Sequence, residues 1–380
     1  MAHIRKTESG NYEAFIDMGK DPATGKRRQI TKTFETKKEA NLWTADKIQE
    51  KQKGIAVSLN NLTLEEYLLK WLDDYALPNL SPTTFDGYNM IIKKHIIPAL
   101  GALKLDEIKP LHIQSYQSEK LRSGRLDNKP GGLSKKTVLQ HHRVLNKALN
   151  QAVMWQLISY NPVKAVPALS PDTPEIKSLS QDEVNRLLKA AEDSWSYYFI
   201  YIAVNTGMRR GELLGLRWED INFTEELIQV RKNLVKSQKK GIVMKEPKNK
   251  SSKRVIQLAA DDISELKKLK KKQNEYKLLY GPDYNNKYDL VFCKANGEIL
   301  YPNTATKRFN LIAEKANIEN IRLHDLRHTH ATLMLEAGVH PKVVQERLGH
   351  STITTTLDTY SHVIPSMQKE SVEKYKNYIS

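Results

Sequence analysis

Residues 323–331 have the sequence LHDLRHTHA, which places three histidines and one arginine within little more than two helical turns. Histidines at this density are typical of metal binding, proton transfer or phosphate binding. His324 and His328 have the i, i+4 spacing of helical zinc ligands, but residue 325 is aspartate instead of the glutamate of such motifs, and no third ligand is evident. We therefore expect no metal. His324 and Arg327 share a face at i and i+3, which favours a clamp on one anion, whereas His328 and His330 are expected to pack or cap.

The whole chain is strongly basic, with 380 residues and a formal net charge of +16. Such a surplus indicates a polyanionic partner, because each lysine or arginine near a phosphate releases a condensed counterion. The charge is clustered: residues 231–254 hold ten Lys or Arg and one acid, Glu246. The lysine run at 265–277 is instead typical of a solvated helix face. Composition therefore predicts a nucleic acid partner, and a merely soluble basic protein is the alternative.

Several classes of protein are disfavoured. One cysteine, Cys293, rules out disulfides within the chain and a cysteine zinc cluster. An uninterrupted apolar run of about 18 residues and a secretory leader are both missing from the sequence, so we expect no membrane span and a cytoplasmic protein associated with the bacterial nucleoid. The phosphate-binding pattern GxxxxGK[ST] is also missing, and we expect no cofactor.

The length predicts two or three domains, and the sequence divides into residues 1–56, 60–165 and 175–380. In the first segment, strands near 12–16 and 28–34 flank a turn, and a helix follows from a capping box at Thr36. The basic residues at this turn are candidates for following DNA phosphates, although a plain charged turn is equally consistent: Lys26, Arg27 and Arg28.

The second segment is predicted to be a helical bundle with a basic side. A capping box at Thr63 and Glu66 begins one helix, and Pro98 is expected to end another. We expect His141 and His142 to be surface residues. The apolar positions are Leu64, Tyr67, Leu68, Trp71, Leu72, Val138, Leu145, Leu149 and Ala152; the basic face comprises Lys135, Lys136, Arg143 and Lys147.

Residues 162–178 hold four prolines and predict an extended linker between two domains. A capping box at Ser180 and Glu183 is expected to begin the next helix. Gly207 is expected to end the apolar helix after that one.

Three stretches of the third segment carry candidate chemistry. Arg209 and Glu212 are three residues apart, either as a structural ion pair or as a guanidinium held rigid to meet a phosphate. Residues 245–258 predict a β-hairpin with its tip near Pro247 and its returning strand at 254–258, so that Lys248 or Lys250 can reach a DNA groove. In the last stretch, Gly349 ends a helix, His350 follows, and Tyr360 is either a surface aromatic or a nucleophile.

Together these residues supply what attack on a phosphodiester requires without a metal. Two guanidiniums neutralise the developing charge on phosphorus, a lysine donates a proton to the leaving oxygen, and a tyrosine of ordinary pKa about 10 attacks with help from a histidine.

In order and spacing, four stretches resemble the tyrosine recombinases, or phage integrase family, and are similar to integrases of Gram-positive temperate phages and conjugative transposons. They are TGMRRGELLGL (206–216), PKNKSSKR (247–254), LHDLRHTHAT (323–332) and LGHSTITTTLDTYSH (348–362). The resemblance implies a multidomain, mainly α fold with small β elements: an N-terminal module of a three-stranded sheet plus a helix that binds arm sites, a SAM-like helical domain that binds core sites, and an α+β catalytic domain.

The resemblance also implies roles for individual residues. Arg209 and Arg327 bind the scissile phosphate, and Tyr360 forms a 3′-phosphotyrosyl link. The others are His324 for proton transfer, His350 for a hydrogen bond to the phosphate, Glu212 for orienting the site, and Lys248 for protonating the 5′ hydroxyl, with Lys250 as the alternative. Arg210 is expected to face elsewhere.

The implied partners are double-stranded attachment sites of core and arm type, a homotetramer on DNA, an excisionase and a host DNA-bending protein. We also expect the tail, residues 366–380, to dock on a neighbouring protomer. Two rival functions share many of these features: a type IB topoisomerase uses the same chemistry, and a non-catalytic DNA-binding regulator explains the charge.

Overall fold

The computed structural model describes residues 2–20, 27–52, 62–127, 129–171, 177–192, 194–237, 241–246, 253–360, 375–376 and 379. The chain divides into two compact units, 1–173 and 174–380. Among the described residues, none of the helices combines the length and the apolar character that a membrane crossing requires.

The first unit begins with a three-stranded antiparallel sheet packed on a helix. Strands β1 (Ala2–Lys6), β2 (Tyr12–Lys20) and β3 (Arg27–Phe34) pair in that order, and α1 (Lys37–Gln52) follows. Alternation along β2 buries Ala14 and Ile16 on the face toward α1, where Ala40 is also buried. The sheet-plus-helix prediction is confirmed.

The rest of the first unit is helical. Its helices are α2 (Leu64–Trp71), α3 (Leu77–Asn79), α4 (Pro82–Ile91), α5 (Ile97–Leu100), α6 (Pro110–Arg122) and α7 (Lys135–Met154). Both bonds of the capping box at Thr63 and Glu66 are present. The predicted apolar positions on α2 and α7 are buried, and Lys135, Lys136 and Arg143 are exposed on the other side of α7.

The expectation that Pro98 ends a helix is wrong. A π-helical turn at Ile92–Ile96 precedes the proline, and the backbone N–H of Ile97 bonds to the carbonyl of Ile92. This wider turn accommodates the proline, which has no N–H and whose ring crowds the preceding turn of a regular helix. The chain therefore continues through α5.

His141 is also not a surface residue, being 1% exposed. It lies three residues after Val138 and four before Leu145, so it shares the buried face of α7. Its Nδ1 is 2.9 Å from the hydroxyl of Tyr116. Burial, followed by the nearby His95 and Lys120, lowers its pKa to about 4.

The proposed linker starts later than expected. Residues Pro162–Ala165 form a short 3-10 turn, and Val163 and Val166 are buried in the helical core. The amide of Asn161 donates to the side-chain oxygens of Asn146 and Asn150. Apolar side chains within the proline-rich stretch therefore pack against the helices, and residues 172–176 lie outside the described residues.

The second unit places helices around small sheets. Its elements are α8 (Gln181–Ala191), α9 (Trp195–Thr206), α10 (Arg210–Leu214), β4 (Ile221–Asn222), β5 (Leu227–Val230), β6 (Asn233–Ser237), β7 (Gly241–Lys245), β8 (Arg254–Gln257), α11 (Ala260–Tyr280), α12 (Pro302–Lys315), α13 (Asp325–Glu336), α14 (Pro341–Leu348) and α15 (Ile353–Tyr360). Its largest core cluster includes Phe199, Leu214, Ile256 and Phe309.

The strand predicted at 254–258 forms as β8, but its partner differs from the expected hairpin. In the described ranges, β8 pairs with β5 in the sheet β4-β5-β8, and β7 pairs with β6. Ile256 lies directly opposite Ile228, and both side chains are fully buried. Burial of these apolar side chains favours the pairing with β5 over a local return to β7.

Candidate active site

The site begins at the C-terminus of α9, where Gly207 adopts the left-handed conformation with φ +62°. A side chain here would be strained and crowded: an added Cβ would lie 2.7 Å from Cδ2 of His330 and from Cδ2 of Leu348. The reversal at Gly207 brings Arg209 to the N-cap position of α10. The prediction that Gly207 ends α9 is confirmed, and this helix end places Arg209 at the start of α10.

Glu212 is the buried acid on which two arginines converge. Arg209 Nη1 and Arg254 Nη2 each donate to its carboxylate over 2.9 Å, and the Arg209 backbone N–H does so as well. Burial alone would raise the pKa of Glu212, but Arg254 and then Arg209 outweigh it and hold that pKa below its ordinary value. The Arg209 side chain is 37% exposed, whereas Glu212 is 3% exposed. Glu212 thus anchors a guanidinium that reaches solvent.

Arg254 is the residue that sequence reasoning missed. It stands at the end of the quoted stretch 247–254, and the only signal was its place in the basic run. Its partner Glu212 is 42 residues away along the chain, so local spacing could not reveal the pair.

Arg327 is 3% exposed and is held between two loops. Its Nη1 donates to the carbonyl of Gly207 over 2.8 Å, and its Nη2 donates to the carbonyl of Leu348 over 2.7 Å. These two bonds fix the guanidinium plane between the end of α9 and the end of α14. The first loop leads directly to Arg209 and the second to His350.

His324 is an exposed residue at the N-cap position of α13, with 5.3 Å between its ring centroid and that of His328. Partial burial, followed by the nearby His328 and Arg327, lowers its pKa to about 4. The ring is therefore neutral at pH 7 and able to accept a proton.

His350 follows the left-handed Gly349 that ends α14. Its Nδ1 lies 2.9 Å from Oγ1 of Thr356, which is buried on α15 one helical turn before Tyr360. Burial, followed by the positive charges of Arg327 and Arg209, lowers the pKa of His350 to about 4. His350 thus contacts the helix that ends at Tyr360 and lies near enough to both arginines for their charges to affect it.

The structure therefore brings Arg209, Glu212, His324, Arg327 and His350 together. Tyr360 is the last residue of α15, but its side chain lies outside the described parts, as do Lys248, Lys250 and Lys26. Arg27 and Arg28 begin β3, and only their backbone is described.

Two minor expectations about neighbouring residues are confirmed. Arg210 Nη1 donates to Oγ1 of Thr306 on α12 over 2.8 Å, away from the arginine pair. His330 is buried, and its Nε2 accepts from Nε of Arg347 over 3.1 Å, so it is a packing residue.

Within the described ranges, the His, Cys, Asp and Glu side chains form no group of three or more that could hold a metal ion.

Sequence profiles of known protein families match three parts of the chain. The sequence profile of the phage integrase family matches residues 177–367, just over half of the chain. Profiles of a phage integrase N-terminal SAM-like domain and of an arm DNA-binding domain match residues 63–121 and 3–51.

Two relatives match over nearly their whole length. A XerC-like tyrosine recombinase of Caldanaerobacter subterraneus subsp. tengcongensis is 29% identical, with 95% of each chain covered. The ICEBs1 integrase of Bacillus subtilis is 25% identical, with 98% of each chain covered.

Solved structures share the fold. The Tn1549 transposon integrase in complex with a circular intermediate DNA matches with a TM-score of 0.67 at 23% identity, over 83% of this chain and 100% of that one. A lambda integrase tetramer bound to a Holliday junction matches with a TM-score of 0.55 at 21% identity, over 92% and 96%. The fold and the clustered arginines and histidines define a site-specific recombinase of the tyrosine type. The chain belongs to the phage integrase family.

Proposed function

We propose that this recombinase integrates and excises a mobile element by cutting and rejoining DNA through a 3′-phosphotyrosyl link at Tyr360. The observation that carries the proposal is the convergence of Arg209, Arg327 and two neutral histidines, His324 and His350, on one cluster linked to α15. The aligned profiles support arm-site binding by residues 1–56, core-site binding by 60–165 and catalysis by 175–380.

The scissile phosphate would bind at the two guanidiniums. Arg209 is exposed enough to meet it, and Arg327 is a buried positive charge whose position is fixed by two carbonyls. Preorganised charges of this kind stabilise the developing pentacoordinate phosphorus without reorganising during the reaction. Glu212 contributes by holding Arg209 in place.

The cleavage step balances as a transesterification. The Tyr360 hydroxyl oxygen forms a bond to phosphorus as the bond from phosphorus to the 5′ oxygen breaks. The tyrosine proton passes to His324, and the departing 5′ oxygen takes a proton from Lys248, or from Lys250 if that lysine is the general acid. His350 donates a hydrogen bond to the phosphate. Attack by another 5′ hydroxyl reverses these steps, so the bond energy is retained and no nucleotide is consumed.

Assembly follows from the same chemistry. Exchange of two strand pairs requires four active sites, and the lambda integrase structure is a tetramer bound to a Holliday junction. We propose the same stoichiometry here, on double-stranded core and arm sites in the bacterial cytoplasm, with an excisionase and a host DNA-bending protein selecting direction.

The test uses a nicked duplex that carries the joined ends of the element. Wild-type protein should form an adduct that survives denaturing electrophoresis and disappears on proteolysis, whereas Tyr360→Phe should bind the duplex with no adduct. Two intact sites should then give recombinant junctions. An adduct accompanied by relaxation of supercoiled DNA, but with no recombinant junction, would indicate a topoisomerase. Binding of the duplex with no adduct in either protein would indicate a non-catalytic regulator.

A further inference from the structure

Arg347, in the last turn of α14, has no part in the chemistry described above, yet its guanidinium makes three hydrogen bonds. Nη1 donates to the carbonyl of Gln257 over 2.8 Å and Nη2 donates to the carbonyl of Asn205 over 2.9 Å. Nε donates to Nε2 of His330 over 3.1 Å. All three nitrogens are therefore used inside the fold, and they tie α14 to the end of β8, to the end of α9 and to α13.

These contacts lie next to the groups that hold Arg327. Asn205 is two residues before Gly207, and Leu348 directly follows Arg347; the carbonyls of Gly207 and Leu348 are the acceptors of the Arg327 guanidinium. Arg347 thus fixes the distance between the two loops whose carbonyls accept hydrogen bonds from the Arg327 guanidinium.

A second path leads to Arg209. The carbonyl of Arg347 accepts from Nε of Arg254 over 2.6 Å, and Nη2 of Arg254 donates to Glu212, which in turn holds Arg209. The main-chain carbonyl of Arg347 is therefore hydrogen-bonded to the network that holds Arg209, and the carbonyl of the next residue, Leu348, holds Arg327.

A role in DNA binding is a poor explanation for this arginine. Its guanidinium is occupied by two carbonyls and a histidine, and burial lowers its pKa, although the guanidinium stays charged. Its three hydrogen bonds all join segments of the protein, which favours a positioning role over a direct contact with DNA.

We propose that Arg347 is a positioning residue for DNA cleavage, which holds the end of α14 so that Arg327 and His350 meet the scissile phosphate in register with Arg209. The inference rests on the proposed function. Lysine offers one nitrogen and cannot reproduce three bonds in a plane.

The experiment measures adduct formation in a single turnover, with enzyme in excess over the nicked duplex, for wild type, Arg347→Gln and Arg347→Lys. Glu346→Gln, a neighbour on the exposed side of α14, is the matched control. We expect the rate constant to fall about 10- to 100-fold in both arginine variants, since small misplacements of reacting groups have effects of this size. Duplex affinity should change less than about two-fold, and Glu346→Gln should match wild type.

A purely structural role would give a different pattern. It would lower the melting temperature and the fraction of protein that reacts, while the rate constant of the reacting fraction stayed at the wild-type value, and that result would overturn the proposal. Arg347→Lys keeps the charge and the aliphatic stem, so it remains measurable if Arg347→Gln does not fold.

A sulfur-substituted substrate distinguishes a defect in leaving-group protonation from a defect in positioning the phosphate. A 5′-bridging phosphorothiolate releases a thiolate that needs no proton, so a defect in leaving-group protonation disappears on it. The slower adduct formation of Arg347→Gln should persist on this substrate, because Arg347 positions the groups that bind the phosphate. Restoration of the wild-type rate would contradict the proposal. If wild type forms no adduct, the proposed function fails; if wild type and Arg347→Gln react equally fast, only the inference about Arg347 fails.

Discussion

At the scale of single residues, Glu212 is the centre of the site, because its buried carboxylate forms ion pairs with both Arg209 and Arg254. Removing one partner of a buried ion pair is strongly destabilising, since the remaining charges are left uncompensated. The exposed side of Arg209 reduces this effect through solvent screening.

Glu212→Gln should therefore lower the free energy of unfolding by about 2–3 kcal/mol at pH 7, measured by denaturant titration. The folded-state pKa of Glu212 lies below its ordinary value of 4.5. The carboxylate's contribution is therefore present at neutral pH and is lost as the pH falls below about 4.5, so the two proteins should converge in acid. Glu219→Gln, at an exposed ion pair, is the control; equal losses in both variants would show that Glu212 has no special role.

His324 and His350 provide a second prediction at this scale. Each has a pKa of about 4 in the free protein, and a bound phosphate favours the protonated form and raises that value. DNA binding between about pH 5 and 6 should therefore take up protons, which calorimetry detects as a binding enthalpy that depends on the buffer. The double variant His324→Gln/His350→Gln should take up fewer protons than wild type; unchanged uptake would place the phosphate elsewhere.

At the scale of elements, local signals in the sequence predicted several helix ends correctly, although Pro98 does not end a helix. The capping boxes at Thr63 and Ser180 and the glycine ends at Gly207 and Gly349 all occur as predicted. These signals succeed because a cap depends on residues three or four positions apart.

Features that depend on distant residues were not predictable in this way. The pairing of β8 with β5 is decided by burial of Ile256 against Ile228, and the Arg254–Glu212 bond joins residues 42 positions apart. His141 was misjudged because its polarity outweighed its position on the apolar face of α7.

Gly207→Ala tests the turn that supports Arg209 and Arg327. The positive φ at position 207 and the close approach of His330 to an added Cβ should lower the free energy of unfolding by about 1–3 kcal/mol. Displacement of the carbonyl at this position should also slow adduct formation. Gly87→Ala is the matched control, because Gly87 lies within α4 and a Cβ added there would meet no atom within 4 Å, so alanine should be neutral or slightly stabilising. Equal behaviour of the two variants in the adduct assay would contradict this role of the turn.

At the scale of the whole molecule, the charge of +16 indicates a large electrostatic contribution to DNA binding. The sequence predicted this property well, because net charge does not depend on how the chain folds. Which lysines and arginines contact DNA depends on the folded surface, where α7 exposes one basic face and α11 another.

The combined variant Lys135→Gln/Lys136→Gln/Arg143→Gln should weaken duplex binding and reduce the slope of log affinity against log salt by about 1–3, since each phosphate contact contributes roughly 0.9. Fluorescence anisotropy at several salt concentrations measures this slope. A charge-matched variant on α11, Lys267→Gln/Lys268→Gln/Lys271→Gln, should leave the slope nearly unchanged; a larger change there would move the DNA-binding face to α11.

The central claim is that Tyr360 is the residue joined to DNA. The most direct measurement is mass spectrometry of the trapped adduct after digestion with nuclease and trypsin. Cleavage after Arg347 and Lys369 releases residues 348–369, whose single tyrosine is Tyr360. The account predicts a nucleotide remnant on Tyr360 of this peptide. A remnant on any other residue, or an unmodified peptide from a confirmed adduct, would contradict it.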